Sequence, residues 1–217
     1  MKTIAAAAAA ASLLALLATA APSAPAARAA APAGRPWMNA SLPPDRRVAL
    51  LLPRMTEDEK LKLVFGYFAT DFPPKTYTMP AGGREGSAGY VPGIPRLGIP
   101  PQWQTDAGVG VASQGGAKHK RERTALPSGM ATTATWNSAT AFQGGRMIGA
   151  EARASGFNVM LAGGVDLVRD PRNGRNFEYG GEDPLLAGTM VGAEIAGIQS
   201  NAIVSTVKHY ALNDLET

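Results

Sequence analysis

The chain has 217 residues, 18% of them charged and 45% hydrophobic, with a formal net charge of +4 at pH 7. It contains no cysteine, which excludes disulfides and thiolate metal sites, and two histidines, too few for a structural zinc site. The modest charge owes part of its sign to Lys2, Arg28 and Arg35 near the N-terminus and does not call for nucleic acid.

Met1-Lys2, an apolar run over residues 4–18, and small-residue sites at Ala18-Thr19-Ala20 and Ala27-Arg28-Ala29 make a signal-peptide layout. The run falls short of the roughly 20 apolar residues of a membrane anchor. Residues 1–20 are therefore expected to be a cleaved signal peptide, with export to a periplasm or the cell exterior. Residues 21–36, mostly Ala and Pro, hold too little bulky apolar surface to offset the entropy of ordering and are expected to be a disordered leader. One folded domain of about 180 residues is expected over 37–217. Asn39-Ala40-Ser41 has the form of a glycosylation acceptor.

A short helix is expected over 45–52, closed by Pro53, and a second from Thr56, where Thr56 and Glu59 form an S/T-x-x-E capping box. Leu61, Leu63, Val64 and Phe65 would supply its buried face. Between residues 71 and 101 the density of Gly and Pro excludes a long helix or a central strand. An extended segment over 99–105 then delivers Asp106 to the turn Asp106-Ala107-Gly108-Val109-Gly110. Those glycines are not a dinucleotide loop, since Ser113 stands where a third glycine is required and no helix is expected to begin there. The basic run Lys118-His119-Lys120-Arg121-Glu122-Arg123 has no interleaved aromatics and reads as a solvated loop.

A helix follows over 137–154, with Ala139, Phe142, Arg146, Met147 and Ala150 at three-to-four spacing and Gly156 suited to the residue after its end. Trp136 is expected to pack at its start, whereas Trp103 has the weaker claim of stacking on a ligand. A strand over 157–161 leads into a polar loop over 170–181. Asp183 is placed to cap a helix over 184–199, with Pro184 in its first position and Leu185, Met190, Val191, Ile195 and Ile198 for burial. A strand over 202–207 ends at Lys208-His209. This repeating order of strand, loop, helix and strand is that of a parallel α/β sheet, either an α/β barrel or an open doubly wound sheet. A complete barrel of eight units takes about 250 residues, so closure is not expected.

The segment Arg169-Asp170-Pro171-Arg172-Asn173-Gly174-Arg175-Asn176-Phe177-Glu178-Tyr179-Gly180-Gly181-Glu182-Asp183-Pro184 packs arginines and carboxylates into one loop. Such charges are costly to bury unless they pair, so a salt-bridged rim is one reading. The other is functional: the loop leaves the C-terminal end of a strand, where an arginine fork can hold adjacent hydroxyls. Asp106 and Lys208-His209 stand at other strand ends, and the combined set suits a polyhydroxylated ligand. Glu178, Glu182 and Asp183 are assigned to capping and to ion pairing with Arg169, Arg172 or Arg175, not to catalysis.

Four segments resemble glycoside hydrolase family 3. Arg169 to Pro184 is similar to R-D-P-R-W-G-R…G-E-D-P, and Lys208-His209-Tyr210-Ala211-Leu212-Asn213 to K-H-F-x-x-N. Met55-Thr56-Glu57-Asp58-Glu59-Lys60 is similar to M-T-x-x-E-K, and Thr105 to Gly110 supplies the fourth. The resemblance implies the N-terminal portion of an incomplete TIM-type (β/α)8 barrel, in which Asp106, Arg175, Lys208 and His209 bind the hydroxyls of a terminal non-reducing sugar. It implies retaining hydrolysis by two carboxylates roughly 5–5.5 Å apart. Both carboxylates are expected beyond Thr217, so no residue here is given a catalytic role, and neither cofactor nor metal is implied.

Tyr-Ala-Leu-Asn after Lys208-His209 resembles the glucosidase and xylosidase branch. The expected partner is a β-linked gluco-oligosaccharide or an aryl or alkyl β-glucoside; a β-xylosidase, or a non-catalytic carbohydrate-binding module using the same pocket, is the alternative. Two departures bear on substrate range: Asn173 stands where the family often has Trp, and Ala107-Gly108 replaces the common Gly-Pro. Unpaired strand edges in a partial barrel would be a liability for solubility.

Overall fold

The computed structural model describes residues 33–69, 75–112 and 122–216. The expected signal peptide, most of the leader, and Lys118 to Arg121 of the basic run lie outside the described residues. Among the described residues no helix is long and apolar enough to cross a membrane.

The N-terminal part is a small cluster built on caps. Helix α1 (Pro44–Leu51) passes into a 3-10 turn (Leu52–Arg54), because Pro53 has no N–H to continue the ladder. Helix α2 (Glu57–Val64) opens with the capping box: Glu59 N donates to Thr56 Oγ1 at 3.2 Å and Thr56 N donates to Glu59 Oε2 at 3.0 Å. Arg96 adds hydrogen bonds to the Glu59 carboxyl, which holds it below the usual range. Beneath, Trp37, Met55, Ile94 and Leu97 form a core, with Trp37 Nε1 donating to Leu97 O at 2.9 Å.

The face expected of α2 is not buried. Leu61 is 57% and Val64 82% exposed, Phe65 is half exposed, and Leu63 alone of the set packs against this core. Leu63, Val64 and Phe65 are consecutive, and at about 100° per residue a helix cannot turn all of them to one side.

The sheet has the order β1 (Gly89–Val91), β2 (Gln102–Asp106), β3 (Val159–Leu161) and β4 (Val204–Ser205). β1 runs antiparallel to β2, while β2, β3 and β4 are parallel. β1 and a 3-10 turn (Pro95–Leu97) lie in the segment expected to be irregular. A three-residue strand carries too little alternation to be seen in sequence, and it sits at an edge, where Gly and Pro nearby are tolerated. β4 is shorter than expected because Ala202 takes a left-handed conformation, φ 55°, in the turn that precedes it.

Two crossover helices lie side by side on one face. α4 (Ser138–Ala154) follows a short helix α3 (Gly129–Thr133) and is capped by Asn137, whose Oδ1 accepts from Ala139 N at 3.0 Å and Thr140 N at 3.2 Å. Gly156 has φ 83°, which fits its expected place after the helix. α5 (Pro184–Gln199) is capped by Asp183, whose Oδ1 accepts from Leu186 N at 2.8 Å.

The boundaries agree with the sequence reading, but the buried face of α4 does not. Ala141, Gly145, Ile148, Gly149 and Ala152 are buried, whereas Ala139, Arg146 and Ala150 are exposed and Phe142 and Met147 half-buried. The reason is the closeness of the helices: a Cβ at Gly149 would lie 2.6 Å from Ile198 O, and one at Gly145 or Gly197 would meet backbone closer still. Bulk marks the wrong side when the seam is made of small residues. On α5, Met190, Val191 and Ile198 are buried as expected, Ile195 is half-buried and Leu185 is exposed. Trp136, at φ 54° before the α4 cap, is 76% exposed instead of packed.

Ala107, Val111, Ile148, Ala152, Phe157, Met160, Ala162, Ile198 and Ile203 form the main core between these helices and the sheet. The sheet does not close. The fold is a mixed α/β one in which a run of β/α units makes an open, partial barrel.

Candidate functional site

The parallel strands point their C-terminal ends the same way. Asp106 is the last residue of β2, and Lys208 lies just past β4. Lys208 is fixed by its backbone: its N donates to Gly163 O at 2.9 Å and its O accepts from Val165 N at 2.7 Å. The Lys208–His209 peptide bond is cis. The loop between β3 and α5 carries Arg175 and then a 3-10 turn, Asn176–Glu178.

Glu178 is the hub. Its side chain is 3% exposed and forms ion pairs with Arg175, through Oε1, and with Lys208 Nζ, through Oε2 at 3.1 Å. Lys208 Nζ also reaches Asp106 Oδ1 at 3.4 Å, and the Asp106 side chain remains 40% exposed. Arg175 Nη1 donates to Glu216 Oε1 at 2.8 Å, and its Nη2 lies 3.3 Å from His209 Nε2. Burial lowers the pKa of Arg175, but the Coulombic and hydrogen-bonding effects of Glu178 and Glu216 outweigh it, leaving the guanidinium pKa raised. Asp106, Lys208, Glu178, Arg175 and His209 thus form one continuous chain of contacts, and the four residues singled out in the sequence stand together.

His209 is oriented by groups with fixed roles. An arginine N–H can only donate, so the contact with Arg175 Nη2 makes Nε2 the acceptor and puts the proton on Nδ1. Nδ1 then donates to the Tyr179 hydroxyl at 2.8 Å. Asn213 Nδ2 donates to the same hydroxyl at 2.6 Å, and Tyr179 passes its own proton toward Asn213 O at 3.4 Å. Asn213 N in turn donates to Asp166 Oδ2 at 2.8 Å. Tyr179 is fully buried, and burial is the main cause of its raised pKa.

Of the other charges of the loop, the expected roles are seen for Glu178, which pairs with Arg175, and for Asp183, whereas Arg172 takes Asp170 as its partner. Arg172 pairs with Asp170, Nη2 to Oδ2 at 2.6 Å, on the surface, and these hydrogen bonds hold the Asp170 carboxyl below the usual range. Asp183 is a cap. Glu178 does pair with Arg175, but its second partner, Lys208, and the roles of Tyr179 and Asp166 were not read from sequence. The three-residue spacing of Arg175 and Glu178 was the available signal for the first pair; nothing local signals contacts 30 or more residues apart.

The two departures acquire a structural meaning. Asn173 is 4% exposed and ties the loop to the chain's last described residues: Nδ2 donates to Asn213 O at 3.2 Å, and Oδ1 accepts from Glu216 N and Arg175 N, both at 3.3 Å. Gly108 passes so close to Glu178 that a Cβ there would lie 3.0 Å from Oε2.

A model of the glycosyl hydrolase family 3 N-terminal domain matches residues 93–214, which hold every residue of this network except Glu216. The chain belongs to glycosyl hydrolase family 3. This family 3 chain is 38% identical over 187 residues to a beta-glucosidase of Bacteroides ovatus, covering 83% of the chain and 22% of the relative. It is 40% identical over 126 residues to beta-glucosidase A of Butyrivibrio fibrisolvens, covering 57% and 15%.

Among solved structures, it is similar to beta-glucosidase 3B of Thermotoga neapolitana in complex with alpha-D-glucose, with a TM-score of 0.67 and 31% identity over 79% of this chain and 24% of that one. It is also similar to a beta-glucosidase of Streptomyces venezuelae in complex with D-glucose, with a TM-score of 0.63 and 34% identity over 78% and 20%. The family 3 chain thus spans about a quarter or less of the length of these relatives.

Proposed function

We propose that this chain supplies the sugar-binding half of a β-glucosidase pocket, exported to a periplasm or the cell exterior, with Asp106, Arg175, Lys208 and His209 contacting the hydroxyls of the terminal non-reducing glucosyl residue. The observation that carries this reading is the contact chain from Asp106 through Lys208, Glu178 and Arg175 to His209. Asp106 offers an acceptor, Arg175 and Lys208 offer donors, and His209 lies against Arg175 with Nε2 as an acceptor, all at the C-terminal ends of β2 and β4 or in the loop that follows β3. A ring bearing neighbouring hydroxyls pairs with such a set better than an apolar ligand, which would leave the charges desolvated.

Glu178 holds the two cations apart and in place, so that a sugar meets a preformed array. Arg175 sets the His209 tautomer by donating to Nε2, and Tyr179 holds the ring from its Nδ1 side. The reaction is retaining hydrolysis, in which one carboxylate attacks the anomeric carbon and another protonates the leaving oxygen. No residue of this chain is assigned either role.

The test is titration of the purified chain with methyl β-D-glucoside and methyl β-D-xyloside, followed by calorimetry or amide chemical shifts. Saturable glucoside binding that is lost in Asp106→Ala is the expected result; equal binding by the wild type and D106A would overturn the site. A preference for the xyloside would move the assignment to the xylosidase branch. An aryl β-glucoside should not be turned over by the chain, and a rate that D106A abolishes would show that it carries its own nucleophile.

A further inference from the structure

A second hollow lies behind the sugar site, on the far side of the loop that follows β2. It has a volume of about 430 Å³ and is walled by α3, α4 and α5, with Gly108, Leu126 and Pro127 closing one side. Leu126, Ala141 and Met147 give it an apolar interior, and Thr135, Thr140 and Gln143 stand at an exposed mouth. The volume falls in the range of about 300–1,000 Å³ typical of small-molecule pockets.

One charge-bearing side chain reaches this hollow, Glu194 of α5, and no other residue lining it titrates. Glu194 has no hydrogen-bond or ion-pair partner among the described residues, in contrast to the carboxylates of the sugar site. An ionised carboxyl in such surroundings is costly, and a cation seated beside it would remove that cost. An apolar body attached to the cation would fill the rest of the space.

We infer that the hollow between α3, α4 and α5 is a second ligand site, selective for a small apolar amine whose ammonium group pairs with Glu194. The ligand's hydrocarbon part rests on Leu126, Ala141 and Met147. Burial pushes the Glu194 carboxyl up to about 7, so the pair forms on the alkaline side of neutrality and weakens below it. The site shares no side chain with Asp106, Arg175, Lys208 or His209.

The experiment compares benzylamine with benzyl alcohol, its neutral counterpart, by calorimetry on the full chain. At about pH 8.5 the wild type should bind benzylamine about tenfold or more tightly than benzyl alcohol, the margin of a charge-assisted hydrogen bond. At about pH 5.5 that preference should fall away. Glu194→Gln should bind the two probes equally at both pH values, and Met147→Trp, which fills the hollow, should bind neither. No binding of either probe to the wild type, or an amine preference that survives in E194Q, would overturn the proposal. D106A, which removes the sugar contact, should leave benzylamine binding unchanged, so the two sites fail separately.

Discussion

Glu178 is a buried glutamate and Glu194 a half-buried one, and the chain treats them in opposite ways. Glu178 lies between Arg175 and Lys208 and is ion-paired with both. Glu194 lines an apolar hollow with no hydrogen-bond or ion-pair partner among the described residues, and its carboxyl is pushed up to about 7 by burial. The contrast teaches that burial alone does not mark a carboxylate as structural or functional. What decides is whether the partners that cancel its charge belong to the chain or must arrive from outside.

The comparison can be tested from both ends. The largest effect is expected from Glu178→Ala, which removes the buried carboxylate shared by Arg175 and Lys208 and leaves each with one more exposed partner, Glu216 or Asp106: unfolding by urea should show a loss of about 3 kcal/mol, the lower end for a broken buried pair. Glucoside binding should disappear with it. Glu194→Gln should act with the opposite sign. The Glu194 carboxyl has a folded pKa of about 7 against an ordinary value of 4.5. The folded state therefore holds that proton more tightly, and the wild type loses stability as pH rises from about 4.5 to 7. E194Q has no such loss, so its advantage over the wild type should grow across that window to a ceiling of about 3 kcal/mol, measured by unfolding at each pH.

A smaller effect is expected from Tyr179→Phe, which leaves His209 Nδ1 and Asn213 Nδ2 without their shared hydroxyl. It should cost about 1–3 kcal/mol and weaken glucoside binding, seen in the same unfolding and titration measurements. Smallest of all is Arg172→Ala. Its pair with Asp170 is on the surface, and unfolding should change by about 0–1 kcal/mol with no change in sugar affinity. A large effect there would mean that the outer charges of the loop belong to the site after all.

Much of the frame was legible in the sequence because it depends on local chemistry. The Thr56–Glu59 capping box, the Asp183 cap with Pro184 behind it, and Gly156 after α4 are all decided within a few residues. The parallel order of β2, β3 and β4 followed from alternating strand and helix patterns. Two kinds of feature escaped. The buried side of α4 was misread because hydrophobic size pointed to Phe142 and Met147, whereas glycines and alanines form the seam. The partners of Glu178 and His209 escaped in part because Lys208 and Asn213 are brought to them only by the crossover through α5. Asn173 shows both sides: its place in the loop was plain, but its bonds to Asn213 and Glu216 come from tertiary folding.

The glycine seam between α4 and α5 has a mechanical consequence. The same helix α5 starts at the end of the Arg175 and Glu178 loop and leads, through one turn, into the strand β4 that Lys208 follows. It is a lever with one cation of the network, Arg175 or Lys208, beyond each end, and Gly145, Gly149 and Gly197 set the height of its pivot. A single methyl group added at that pivot would tilt both ends at once, so the spacing between two site cations is governed from a place no ligand touches.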